Sequence, residues 1–158
     1  MDLVDMLDRK WIKAKLQADN KNDAIKELID LLAARGAIGD PEAALAAVLE
    51  REGVRSTGIG NGLALPHGKY SGTSKSVIAI GRCLDGLDFD SVDGAPVDLI
   101  VLMLSPIDLI AQHIQALARI SRFLSFDVFR RDLRKATTAE EIFEVVRLKE
   151  EQAAAAIQ

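Results

Sequence analysis

From Leu49 to Lys69 the chain reads LEREGVRSTGIGNGLALPHGK, and the change of pattern inside this stretch sets the architecture. Its first residues finish a helix that Asp40 and Pro41 begin, a capping residue followed by proline at the first helical position. Three glycines follow at alternate positions: Gly58, Gly60 and Gly62. Leu63 to Leu65 then reads as a short buried strand, and Pro66 delivers His67 and Gly68. A glycine-dense approach usually brings backbone close to a ligand, most often a phosphate, yet the residue presented here is a histidine.

Outward from this stretch the chain divides readily. Upstream, Trp11 to Leu16 alternates, with Ile12, Ala14 and Leu16 on one side, and is expected to form a first strand. Asn20 or Asn22 caps a helix carrying Ala24, Ile25, Leu28, Leu31 and Leu32, which Gly36 ends in the left-handed conformation. The helix begun at Pro41 is expected to run to about Glu52, with Leu45, Val48 and Leu49 inward and Gly53 as its stop. Downstream, Val77 to Ile80 reads as a short strand and Val97 to Leu104 as a fully buried one. After Pro106 the pattern turns helical, with His113, Leu117, Ile120 and Leu124 on one face. A short helix near Val128 to Leu133 follows. Thr138 and Glu141 make a capping-box pattern for a last helix carrying Ile142, Phe143, Val146 and Leu148. The expected fold is α/β, a single-domain sandwich of a mixed β-sheet flanked by helices over residues 1–150. Residues 151–158 form a tail with nothing to pack against.

Composition narrows the function. With 158 residues, 49% of them hydrophobic, the chain can bury one substantial core. A formal net charge of −4 disfavours a nucleic-acid binder that relies on neutralising phosphates. Cys83 is the only cysteine, so no internal disulfide and no cysteine metal cluster can form. The acidic start MDLVDMLDRK lacks a signal-peptide pattern, and the apolar run Leu99 to Leu104 is far too short to span a bilayer. The expectation is a cytoplasmic protein with no membrane insertion.

Two nucleotide motifs fail on this stretch. In the dinucleotide fingerprint Gly58 and Gly60 supply the first two positions, but Leu63 occupies the third, where a small residue is needed, and Pro66 interrupts the helix that should follow. For a phosphate loop ending in Gly68-Lys69, Leu63 stands where a glycine is required and Tyr70 where the magnesium-binding hydroxyl should be. Without further signals the glycines make a tight connection into a strand, and His67 is an exposed loop residue.

The balance shifts with the second histidine. The chain has only His67 and His113. On the apolar stripe of QHIQALARI, His113 is by itself most simply a satisfied core residue. Two histidines without H-x-x-x-H spacing are too few for a typical zinc site, and there is no G-x-S-x-G elbow for a serine hydrolase. What remains is nucleophilic chemistry: a neutral imidazole attacks phosphorus through one nitrogen while the other is held as a donor. The dianion formed needs donors around it. Glycine backbone, Ser56, Thr57, Arg51 or Arg55, and His113 across a cleft are the available groups. In this reading the glycines admit a bulky phosphoryl donor.

The segment Leu49 to Lys69, with its PHG centre, resembles the signature of enzyme IIA domains of the fructose/mannitol class in the bacterial phosphotransferase system, most of all the nitrogen-regulatory branch. The resemblance runs from the first strand to the last capped helix. It implies that His67 accepts a phosphoryl group on Nε2 from the phosphohistidine of HPr or its nitrogen-branch paralogue. It also implies that His113 is the second active-site histidine, that Arg51 closes over the site, and that Thr57 places a hydroxyl near the phosphate. It implies no cofactor and no metal, and a downstream partner that is either a regulatory protein or an EIIB. Arg55 is read as a solvated charge and Cys83 as a small buried residue rather than a IIB-type phosphate acceptor. Leu63, Leu65 and exposed parts of the helix carrying His113 are the expected apolar rim for the donor. A non-catalytic anion- or effector-binding module is the alternative from a different class.

Overall fold

The computed structural model describes residues 2–157. Single turns at Leu3–Asp5 and Arg9–Trp11 precede β1 (Ile12–Lys13), α1 (Lys21–Ala34) and α2 (Pro41–Val54). Then come β2 (Gly58–Gly60), β3 (Leu63–Ala64), β4 (His67–Tyr70), β5 (Val77–Leu87) and β6 (Val97–Pro106). Three helices, α3 (Ile110–Leu124), α4 (Asp127–Lys135) and α5 (Ala139–Ile157), complete the chain. The six strands form one mixed sheet in the order β1-β5-β6-β3-β2, with β4 also paired to β6.

The strand β6 organises the layers. Its even residues Ile100, Leu102 and Leu104 join the core under α1 and α2, and its odd residues Leu99, Val101 and Met103 join the core under α3, α4 and α5. Successive side chains of a strand point to opposite faces, so an unbroken apolar run is what a strand covered by helices on both sides requires. The antiparallel neighbour β5 divides the same way, with Val77 and Ala79 on one face and Ile78 and Ile80 on the other.

Helix ends follow the capping residues. Asn20 accepts the Asp23 N–H at 2.9 Å, Asp40 accepts the Ala43 N–H at 3.2 Å, and Gly36 takes φ 74° just beyond the end of α1. Gly53 does not stop α2, which continues to Val54, and its backbone is not left-handed. The inward face of α2 is Ala44, Val48 and Glu52, whereas Leu45 and Leu49 are only half-buried. At the last helix Thr138 Oγ1 accepts the Glu141 N–H at 3.1 Å, while the Glu141 carboxylate reaches back to Thr137.

Two other expectations change. Trp11 to Leu16 is a strand only at Ile12 and Lys13, paired in parallel with Ile80 and Gly81; Trp11 closes a helical turn instead. The alanine-rich tail continues α5 through Ile157, and Ala153 packs against the core, so the tail is not without contacts.

Candidate functional site

The position of His67 comes from its strand. β3 and β4 both run parallel to β6 in one continuous register, Leu63 opposite Leu99 and His67 opposite Met103. Pro66, between them, has no N–H for the ladder, although its carbonyl accepts the Met103 N–H at 3.0 Å. The break lets His67 Nδ1 come within 2.8 Å of the Leu65 carbonyl. A carbonyl only accepts, so Nδ1 carries the ring proton and Nε2 keeps a free lone pair. Burial holds the imidazole below its ordinary pKa, opposed by the Leu65 bond and reinforced by the charges of Arg51 and Lys69. Its imidazole is therefore biased toward the neutral form, with the lone pair on Nε2.

His113 approaches from the other side of the cleft, in the first turn of α3, where unpaired helix N–H groups favour an anion. The two rings are 5.5 Å apart between centroids and tilted by 50°. His113 Nδ1 lies 2.8 Å from Ser105 Oγ, and burial, then His67 and Lys69, push its pKa down to about 4. Both rings line an open cleft of about 440 Å³ between α2 and α3, shared with Arg51 and Lys69.

Gly68 sets how closely α2 covers this cleft. A Cβ there would stand 3.1 Å from Val48 N and 3.2 Å from Ala47 C, so the backbones of β4 and α2 are in contact. Arg51, one turn further along α2, borders both the cleft around His113 and a second one of about 320 Å³ on the other side of His67. Its Nη1 donates to the Arg55 carbonyl at 3.0 Å. Arg55 is exposed and borders only the second cleft.

Thr57 also borders the second cleft, but its hydroxyl is already engaged. The buried Glu52 carboxylate accepts Thr57 Oγ1 at 2.5 Å and Thr57 N at 2.8 Å, and pairs with Lys21 Nζ at 2.8 Å. This triad fixes the turn from α2 into β2. Glu52, Gly68, Lys69 and Ser105 were not among the site residues expected from the sequence. The signal for Ser105 was a hydroxyl at the end of the buried apolar run Leu99 to Leu104, which must find a partner.

The glycines before His67 make the tight connection that their spacing alone suggested. Gly60, Asn61 and Gly62, with φ of 96°, 58° and 77°, turn β2 back onto β3. A Cβ on Gly62 would meet Arg134 and Asp98 at 2.6 Å, and one on Gly58 would collide with Ser91. Of the three, only Gly58 borders a cleft containing His67; the others make the hairpin fit its neighbours. The exposed apolar residues near the site match the expected rim only on the helix that carries His113. Leu63 and Leu65 are only 2% and 5% exposed, whereas Val54 stands out at the cleft that holds His113, Ile59 and Val92 stand out at the second cleft, and Ile114, next to His113 in sequence, is exposed on α3. Cys83 is buried in β5 with its thiol pushed up to about 12, chiefly by burial, and is unreactive. Among the described residues no three His, Cys, Asp or Glu side chains gather to hold a metal, and no helix is long and apolar enough to cross a membrane.

Comparison with known proteins places the chain among relatives. The family described as "Phosphoenolpyruvate-dependent sugar phosphotransferase system, EIIA 2" matches residues 5–149. The chain is 32% identical over 146 residues to the fructose-specific EIIABC component of Bacillus subtilis, covering 92% of this chain but only 23% of that protein. It is 36% identical over 151 residues to a nitrogen regulatory protein of Bradyrhizobium diazoefficiens, covering 94% of this chain and 96% of the relative. The crystal structure of the nitrogen regulatory protein IIA-Ntr from Neisseria meningitidis aligns with a TM-score of 0.83 at 27% identity, over 90% of this chain and 97% of that one.

Proposed function

Because the chain belongs to the EIIA type 2 family of the phosphoenolpyruvate-dependent phosphotransferase system, we propose that it carries a phosphoryl group on His67 Nε2. The observation that carries this reading is the Nδ1–Leu65 hydrogen bond of 2.8 Å, which leaves Nε2 as the nucleophile. The donor is the phosphohistidine of an HPr-type carrier. As Nε2 attacks phosphorus, the new P–N bond forms in line while the bond to the donor imidazole breaks, and that electron pair stays with the donor nitrogen. The Leu65 carbonyl supports the positive charge that the attack places on the His67 ring. Arg51, Lys69 and His113 surround the phosphoryl oxygens with positive charge and donors. Thr57 contributes through its backbone turn, since its hydroxyl proton is given to Glu52.

Phosphorylation state is the output in this reading. A dianion added within a rim that includes Val54, 81% exposed, and Ile114, 60% exposed, changes which partners can dock there through repulsion and desolvation. Similarity along the length of a nitrogen regulatory protein favours a regulatory partner. Similarity to part of a fructose-specific EIIABC component supports the second reading, onward transfer to an EIIB. The chain is incubated with phosphoenolpyruvate, enzyme I and an HPr-type carrier, and acid-labile phosphate is measured by intact-mass spectrometry. Phosphate on the wild type and none on His67→Ala is expected. A folded wild type that stays unmodified, beside a control IIA that is modified, would leave a non-catalytic binding module.

A further inference from the structure

Behind His113 lies a short chain of hydroxyls. His113 Nδ1 is 2.8 Å from Ser105 Oγ, and Ser105 Oγ is 3.0 Å from Ser76 Oγ. Ser105 is 0% exposed and Ser76 2% exposed, so solvent does not complete their bonding. Both positions follow from the sheet: Ser105 extends β6 past Leu104, and Ser76 precedes Val77, which pairs with Leu104 across the antiparallel ladder.

Counting protons decides the direction of this chain. Each hydroxyl has one proton to donate. If His113 Nδ1 were protonated, it would donate to Ser105 and Ser105 would donate to Ser76. The Ser76 proton would then have no acceptor among the described residues, and a buried donor left unpaired is costly. If Nδ1 is bare, Ser76 donates to Ser105, Ser105 donates to Nδ1, and every proton is placed. The same count disfavours the doubly protonated imidazolium.

We infer that Ser105, backed by Ser76, is a positioning residue that holds His113 in its Nε2–H tautomer, so that the ring offers a donor to a phosphoryl group on His67. The opposite tautomer would turn a lone pair toward a dianion. The inference rests on the carrier reading for its purpose, although the proton count stands without it. His67 and His113 then sit side by side in opposite tautomers: Nδ1–H with bare Nε2 on His67, and bare Nδ1 with Nε2–H on His113.

Long-range ¹H–¹⁵N correlation on the uniformly ¹⁵N-labelled, unphosphorylated protein at neutral pH reads both tautomers directly. Expected are an acceptor-type Nδ1 and a protonated Nε2 for His113, with the reverse for His67. An Nδ1–H or imidazolium His113 overturns the inference. In Ser105→Ala the His113 resonances should move to a mixture of tautomers, and phosphate acceptance should slow roughly three- to tenfold, the worth of one hydrogen bond. Ser76→Ala should change both less, because Ser105 still points its proton at Nδ1. Unchanged His113 resonances in Ser105→Ala also overturn the inference, and if that variant misfolds the wild-type spectrum decides. An Nε2–H His113 on a protein that accepts no phosphate would keep the proton count and reject the carrier; an Nδ1–H His113 on a protein that accepts it fully would do the reverse.

Discussion

Replacing Gly68 with alanine adds a single methyl group at the point where β4 meets α2. That carbon would lie 3.1 Å from Val48 N, 3.2 Å from Ala47 C and 3.2 Å from Val48 Cγ2. Two of the three atoms belong to helix backbone, which cannot rotate aside as a side chain does, so α2 must move as a unit. Overpacking of this kind costs about 1–3 kcal/mol. For a chain of this size, about 2 kcal/mol lowers Tm by roughly 4–8 °C. The same displacement carries Arg51 away from His67, and a misplaced charge of this sort slows transfer by up to about a hundredfold. Gly53→Ala is the control on the same helix. Nothing lies within 4 Å of its added carbon and its φ is not positive, so relief of glycine's helix penalty should stabilise it by roughly 0.5–1 kcal/mol. Thermal unfolding by circular dichroism and the rate of phosphate acceptance are measured for both. A Gly68→Ala protein with unchanged Tm and rate, or a Gly53→Ala protein destabilised as much, would refute the steric argument.

Three further outcomes follow from the site. The unfolded His113 gains a proton below its ordinary 6.5, whereas the folded ring resists until about 4. Its contribution to stability is thus full above about pH 6.5 and is lost as pH falls toward 4, by at most about 3 kcal/mol. Denaturation series should show a shallower acid loss in His113→Gln than in the wild type; an equal or steeper loss contradicts the sign. Glu52→Gln leaves one Thr57 donor unmatched and removes the counter-charge of Lys21, so urea unfolding should show a loss of about 2–4 kcal/mol; an unchanged midpoint would dismiss the triad. Ile114→Glu puts a negative charge on the exposed rim and should slow transfer from the phosphorylated carrier with Tm unchanged; an unchanged rate would move the docking surface elsewhere.

Much of the fold was legible because local chemistry and tertiary demand agreed. Asn20, Asp40 and Gly36 mark helix ends through bonds and dihedrals that reach only a few residues, and the apolar run of β6 states that both its faces are covered. That double coverage also hides which way a neighbouring strand points. Leu63 and Leu65 looked available for a rim because a sheet buried on both faces shows no alternation to mark an outside. What the hairpin glycines must fit was hidden for a related reason: Ser91, Asp98 and Arg134, which demand their smallness, are distant in sequence. At the site, His67, His113 and Arg51 were singled out by residue type and motif, and the fold brings all three to one cleft. Glu52 holding Thr57, and Ser105 behind His113, could not be read this way, since a hydrogen-bond partner is fixed only when β4, β6 and α3 come together.

The most direct test of the central claim is the atom that carries the phosphate. The protein, labelled with ¹⁵N and phosphorylated through an HPr-type carrier, is examined for ¹⁵N–³¹P coupling on assigned histidine rings. Coupling at Nε2 of His67, with Nδ1 of the same ring free for the Leu65 carbonyl, is the expected result. Phosphate on Nδ1 of His67, or on His113, would contradict the account.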